Sequence, residues 1–163
     1  MTAAPAVESR PLSLQPFQLI GMVGVLFTVI GGHEILTQVF PLSLGTPEWE
    51  FGTYSSLMDN MPLLIMGLGF LGVFAVVGGH KVLARVLATI LFALALSLIA
   101  FAFLYLTNVP QVLRLRTSPA VRTGLKKAVT KASIQTALFP MTLLWLGSFL
   151  LRKTKGETHP HGR

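Results

Sequence analysis

The sequence predicts an all-α, polytopic membrane protein: a four-helix transmembrane bundle with a short external interfacial helix and a basic amphipathic helix before the fourth span. Hydrophobic residues make up 52% of the chain and charged residues only 12%, against about a quarter charged in a soluble domain. Four apolar runs approach or exceed the length of about 20 residues that a helix needs to cross a bilayer. These runs are 17–40, 61–79, 84–107 and 132–151.

The rest of the chain is too short for a second domain, so residues 1–163 are expected to form a single membrane domain with flexible polar tails at 1–10 and 152–163. The first apolar run is too long for a cleavable signal peptide, and no small-residue cleavage site closes it, so we expect it to remain as an anchor. Cysteine is absent, which excludes disulfides, thiolate metal sites and a cysteine nucleophile.

The first loop indicates the orientation. Residues 41–60 contain no lysine or arginine but hold Glu48, Glu50 and Asp59, so the positive-inside rule predicts that this loop is external. Four spans then place both termini in the cytoplasm. The expected membrane is a bacterial cytoplasmic (inner) or thylakoid-like membrane. The loop before the fourth span is also external on this topology although it is basic, so the orientation depends mainly on the first loop.

That basic loop, "TSPAVRTGLKKAVTKAS", has apolar residues at three- and four-residue spacing and predicts an amphipathic helix. Its candidate binding residues are Arg122, Lys126, Lys127 and Lys131. The helix either lies on anionic headgroups or runs straight into the fourth span, with Pro140 as a kink. The basic residues either fix the depth of the helix by snorkelling or bind a polyanion or an acidic partner. Nucleic acid is excluded as a partner because the charges flank membrane spans.

Small residues recur at helical spacing along the first two spans, where they predict close helix packing, since helices associate in lipid through small residues. The packing residues are expected to be Gly24, Thr28, Gly32, Gly69, Gly72 and Gly79. The second span also contains "GLGFLG", which matches a dinucleotide-binding pattern, but no βαβ context surrounds it.

His33 and Glu34 form an ionisable pair near the outer end of the first span. If that span ends near Phe40, the pair lies about 10 Å below the outer end at 1.5 Å per residue. An ionisable residue inside a span is a candidate functional site. Three interpretations stay open: a helix that leaves the membrane near Gly32, a polar contact with another helix, or a ligand, proton or cofactor site.

No cofactor, metal site or catalytic residue is predicted. The other histidine near a span is His80, at the cytoplasmic end of the second span, whereas His33 lies near the external end of the first. The two histidines are at different depths, so a bis-histidine haem is not expected. "HEILT" lacks the second histidine of the H-E-x-x-H zinc motif, and no nucleophile with a base is apparent. We therefore expect that the protein is not an enzyme.

The first external loop is the most distinctive stretch. Trp49, Phe51 and Tyr54 suit the membrane interface, and Pro47 with Glu48 and Glu50 predicts a short surface helix that ends near Leu57. Asp59 or Asn60 is expected to cap the second span. The interfacial site residues are thus Trp49, Glu50 and Asp59.

This stretch also resembles a known family. "PEW", an aspartate ten residues after the tryptophan, and "PLLIMGLGFL" look like the first half of the HpsJ-like family of small bacterial integral membrane proteins. The matching positions are Trp49, Asp59, Pro62 and Gly67. The resemblance covers about 35–71 and implies an accessory membrane role rather than a known reaction.

Together these features predict a small non-catalytic accessory or scaffold subunit of a larger membrane assembly, with the lipid bilayer and other membrane proteins as partners. One alternative is a small transporter, or a redox or pigment-binding anchor, that uses His33 and Glu34. A second is an envelope polysaccharide factor whose basic helix meets a polyanion or anionic lipid.

Overall fold

The computed structural model describes residues 16–115 and 119–155. These residues form four helices: α1 (Pro16–Val39), α2 (Pro47–Val77), α3 (Lys81–Leu115) and α4 (Pro119–Lys155). All four are long and apolar enough to cross a membrane, so the predicted all-α, four-helix integral membrane fold is confirmed. The predicted tails, 1–10 and most of 152–163, lie outside the described residues.

The predicted separate surface helix is the first part of α2. Pro47 occupies the start of that helix, where the missing N–H of proline costs nothing, and the helix continues through Pro62 to Val77. Trp49, Glu50 and Asp59 therefore all lie on α2. The predicted run 61–79 covers only the second part of α2, which begins fourteen residues earlier, at Pro47.

The basic amphipathic segment is continuous with the fourth span. α4 has 37 residues and passes through Pro140 without interruption. Of the two arrangements that the sequence left open, the structure has the helix that runs directly into the span. α3, at 35 residues, is also longer than its predicted span, so α2, α3 and α4 extend together beyond the end of α1.

α2 is the central helix of the bundle. It contacts each of the other three helices, α3 also packs on α4, and α1 packs against α2 alone among the described residues. The buried core therefore comes mainly from α2, α3 and α4, with Met58, Leu91 and Leu143 fully buried at its centre. α1 lies at the periphery, where only Gly21, Gly24 and Gly31 are buried.

Glycines bring α1 and α2 into close contact. A Cβ on Gly24 would lie 2.9 Å from the backbone nitrogen of Leu71, and one on Gly67 would lie 2.5 Å from the backbone nitrogen of Thr28. Gly24 and Thr28 thus pack as the sequence predicted. Gly72 faces the end of the Leu150 side chain on α4, at 3.3 Å.

Three of the predicted packing glycines are corrected. Nothing lies within 4 Å of a Cβ on Gly32, Gly69 or Gly79. Gly31 occupies the contact in place of Gly32, because the helix rotates by about 100° per residue and only one of two adjacent positions faces the partner. Gly67, two residues before Gly69, is the glycine of α2 that faces Thr28. Gly79 serves the turn between α2 and α3, where its φ of +68° is a conformation that favours glycine.

The bundle has two ends, which are named here by their residues. The tail end holds Phe17, Val77, Lys81 and Thr154, and the loop end holds Val39, Trp49, Leu115 and Thr123. Ring stacking of Phe17 with Phe74 and a shared depression lined by Gly79, Lys81 and Thr154 bring the tail-end residues together. The first described residue, Pro16, and the last, Lys155, therefore lie at the same end.

Candidate functional site

His33 points away from the rest of the molecule. Gly31, two residues earlier, faces the backbone of Leu64 on α2, and two residues correspond to about 160° around a helix. The His33 side chain is exposed, and Glu34, on the flank of α1, is exposed as well. The ionisable pair therefore lies on the side of α1 that no other helix of the described chain covers.

The contacts between α1 and α2 give the depth of the pair. Going up α1, Gly24 lies against Leu71 and Gly31 against Leu64, so seven residues along one helix match seven along the antiparallel neighbour. Extending this register places Glu34 level with Met61 and His33 level with Pro62. At 1.5 Å per residue, the pair is about 3 to 5 Å nearer the bundle middle than Asp59.

No group in the described ranges, 16–115 and 119–155, pairs with these two side chains by a hydrogen bond or an ion pair. The backbone carbonyl of Glu34 accepts a hydrogen bond from the Thr37 hydroxyl at 2.8 Å. The contact with another helix that the sequence left open is therefore not made within the described chain.

His80 lies at the tail end, far from His33. A Cβ on Gly78 would touch both the Phe17 ring and the His80 ring, each at 2.8 Å, so His80 is close to the level of Phe17. Sixteen residues of α1 separate Phe17 from His33, which is about 24 Å along the helix axis. One haem iron cannot be ligated by both histidines.

At the loop end, a buried aromatic and hydroxyl cluster joins α2, α3 and α4. Tyr54 and Tyr105 are 2% and 1% exposed, with their ring centroids 4.6 Å apart, and Phe51 stacks on Tyr105 at 5.2 Å. The Tyr54 hydroxyl and the Thr136 hydroxyl share a hydrogen bond of 2.6 Å. The Tyr105 hydroxyl is buried without a hydrogen-bond partner among the described residues.

The direction of the Tyr54 bond follows from the other contact of Thr136. The Thr136 hydroxyl donates its single proton to the Ala132 carbonyl at 2.6 Å, so it can only accept from Tyr54. Tyr54 is therefore a donor buried inside the bundle, whereas the sequence had suggested an amphipathic ring facing the membrane interface.

The carboxylates of the predicted loop site have separate partners. Glu50 accepts hydrogen bonds from the backbone N–H of Gly45, at 2.8 Å, and from the Asn108 side chain on α3. Asp59 forms an ion pair with Lys131 of α4 at 2.6 Å. These pairs fix the first loop and α4 to the bundle, so a structural role accounts for Glu50 and Asp59.

Three basic residues in the first half of α4 face solvent or lipid. The side chains of Lys126, Lys127 and Lys131 are exposed, and Lys131 is already paired with Asp59. The Arg122 side chain lies outside the described part of the structure. Lys126 and Lys127 are therefore the described members of this set that remain available to a polyanion or an anionic lipid.

The sequence missed the loop-end cluster because its members are dispersed. Tyr105 lies near the end of the third apolar run and Thr136 near the start of the fourth, and only the pairing of α2 with α3 and α4 brings them together with Tyr54. Tyr105 and Asn108, near the end of the third apolar run, indicated polar positions there, but the sequence did not indicate which residues they contact. Within the described residues, no three His, Asp or Glu side chains lie close enough to hold a metal ion.

No family model, no curated protein and no solved structure matches this chain. The resemblance to the HpsJ-like family stays a prediction, and the proposals below depend on the residues of this chain.

Proposed function

We propose that this protein is a small, non-catalytic accessory or scaffold subunit of a larger membrane assembly, and that it joins its partners through the free side of α1. The observation that carries the proposal is the outward-facing pair His33 and Glu34, exposed on α1 and without a partner in the described chain.

An ionisable pair on the lipid side of a transmembrane helix is costly unless another group compensates it. Lipid tails offer no hydrogen bonds, whereas a neighbouring helix can supply a polar or charged side chain. Because α1 packs against α2 alone within residues 16–115 and 119–155, its opposite side can accept another helix without any rearrangement of α2, α3 or α4.

The distribution of charge supports an orientation with the tail end in the cytoplasm of a bacterial inner or thylakoid-like membrane. Lys81, Arg85, Arg152 and Lys153 lie at the tail end. The loop end also holds basic residues, among them Arg114, Lys126, Lys127 and Lys131, so the orientation depends on the first loop, 41–60, which has no lysine or arginine. Basic residues favour the cytoplasmic side. Fusion of a periplasmic-active or cytoplasm-active reporter after Lys155 tests this orientation, and a reporter active only outside would contradict it.

The test of the accessory role is purification in a mild detergent from the native membrane, with mass spectrometry and an absorption spectrum of the same fraction. Wild-type protein is expected to carry stoichiometric partner chains, and a His33→Leu/Glu34→Leu variant is expected to lose them. The control Lys126→Gln/Lys127→Gln removes charge at the loop end and is expected to keep the partners. A colourless wild-type bundle without any other chain would refute the accessory role.

Two further sets of variants separate the two alternatives. A transporter or redox anchor that uses the pair predicts that His33→Ala with Glu34→Gln abolishes activity in a folded bundle. A polysaccharide factor predicts salt-sensitive polyanion binding that disappears when Arg122, Lys126 and Lys127 are neutralised.

A further inference from the structure

The uncovered side of α1 carries a heptad pattern. Leu19, Val23, Leu26 and Ile30 are 47%, 38%, 54% and 42% exposed, and their spacing alternates between four and three residues. The same alternation continues to His33 and Thr37, which are exposed too. Apolar residues at this spacing form the seam of a left-handed coiled coil.

Heptad spacing also fixes what lies beside each seam position. If Leu19, Leu26 and His33 occupy d positions, Val23, Ile30 and Thr37 occupy a positions, and Glu34 follows His33 at position e. In a parallel pair of helices, the side chain at d inserts into a hole formed by residues of the facing helix that include its d and e residues. His33 would therefore meet Glu34 of an identical facing helix.

We propose that the first partner of this face is a second copy of the same chain, joined by parallel pairing of α1 with reciprocal His33 to Glu34 contacts. Two copies inserted in the same direction hold these residues at equal depth, and a two-fold axis makes the contact twice. Because His33 and Glu34 have complementary charges, the uncovered side of α1 can pair with the same side of a second copy. This inference rests on the proposed function, since it names the partner for the same face.

A second stripe on the same side is a weaker candidate. Met22, Leu26, Val29, His33 and Leu36 also follow heptad spacing and are exposed. On that stripe His33 occupies an a position and Glu34 a b position, which points away from the facing helix. Pairing there would leave Glu34 uncompensated in lipid, so the stripe that includes Val23 and Ile30 is favoured.

The absence of cysteine allows single-cysteine cross-linking in native membranes. Cysteines at Val23, Leu26 and Ile30 are expected to form a disulfide-linked species of about twice the 17.6 kDa chain mass. The control is Val25, which is 53% exposed but lies off the seam and is expected not to cross-link. Cross-links at Met22 and Val29 in place of Val23 and Ile30 would overturn the proposed seam.

Exchanging the charges between two copies tests the contact between His33 and Glu34 directly. The test uses two variants together, so it does not depend on the stability of either one alone. His33→Glu gives a copy with two acids, and Glu34→His gives a copy with two histidines. We expect His33→Glu alone to weaken dimer formation about tenfold, as for a lost polar contact between membrane helices. Coexpression of the two differently tagged copies is expected to restore a mixed dimer, and failure to restore it would overturn the reciprocal contact.

A photo-cross-linking amino acid in place of Leu26, used in the native membrane, separates failure of this inference from failure of the proposed function. An adduct with a second copy is the expected result. An adduct only with a different protein would overturn the second-copy inference and leave the accessory role intact. No protein adduct at all would overturn both.

Discussion

Gly67 of α2 lies directly against Thr28 of α1. A Cβ on Gly67 would come within 2.5 Å of the Thr28 backbone nitrogen and 2.6 Å of its hydroxyl oxygen, and that hydroxyl already donates to the Gly24 carbonyl at 2.8 Å. Because the obstructing atoms include backbone, neither helix can make room by a side-chain rotation.

Gly67→Ala should therefore destabilise the protein, by about 1 to 3 kcal/mol as for an overpacked core, because it pushes α1 away from α2. The matched control is Gly69→Ala on the same helix, where nothing lies within 4 Å of the new methyl group and the higher helix propensity of alanine is neutral or favourable. Thermal unfolding in mild detergent measures both, and equal shifts would contradict this contact.

Gly24 and Gly72, both predicted to pack, should differ in sensitivity. A Cβ on Gly24 meets the Leu71 backbone at 2.9 Å, whereas one on Gly72 meets only the flexible end of Leu150 at 3.3 Å. Gly24→Leu is expected to lower the unfolding temperature and to disturb assembly through α1, and Gly72→Ala should be tolerated. The measurement is the unfolding temperature together with the recovery of partner chains, and a larger effect from Gly72→Ala would refute this order.

Hydropathy predicted four spans because a helix that crosses a membrane is apolar both where it faces lipid and where it packs on another helix. Hydropathy could not predict where α2, α3 and α4 end at the loop end. Contacts between residues distant in sequence, such as Tyr54 with Thr136, hold these parts of the helices. Similarly, periodicity identified a row of small residues, but whether Gly31 or Gly32 faces α2 depends on the rotation of α1. His33 and Glu34 were visible as an anomaly, and only the packing of α1 showed that they face outward.

The two buried tyrosines should respond oppositely to loss of the hydroxyl. Tyr54→Phe removes the hydrogen bond to Thr136 and should cost about 0.5 to 1.5 kcal/mol. Tyr105→Phe removes a buried hydroxyl without a partner among the described residues and should be neutral or stabilising, because an unpaired buried group carries a desolvation penalty. Each ring keeps its stacking, so the comparison isolates the hydroxyl, and a greater loss from Tyr105→Phe would contradict the assignment.

Glu50 should hold the first loop against α3. Glu50→Ala leaves the Gly45 N–H and the Asn108 amide without their acceptor, so amide hydrogen exchange across residues 40–46 is expected to become faster. Asp59→Ala is the control, since its carboxylate is on the same helix but pairs with Lys131. Unchanged exchange in Glu50→Ala would show that the loop is held by other contacts.

The ion pair between Asp59 and Lys131 should report where the membrane boundary at the loop end lies. Both side chains are substantially exposed, at 52% and 61%. If the pair is in the aqueous interface, a double-mutant cycle with Asp59→Asn and Lys131→Gln should give a coupling of about 0.2 to 1 kcal/mol that falls as salt is added. A cycle of Asp59 with Lys126 is the control and should show no coupling. A larger coupling that salt does not change would place this level inside the hydrocarbon, and His33 and Glu34, about 3 to 5 Å further in, would then need their partner even more strongly.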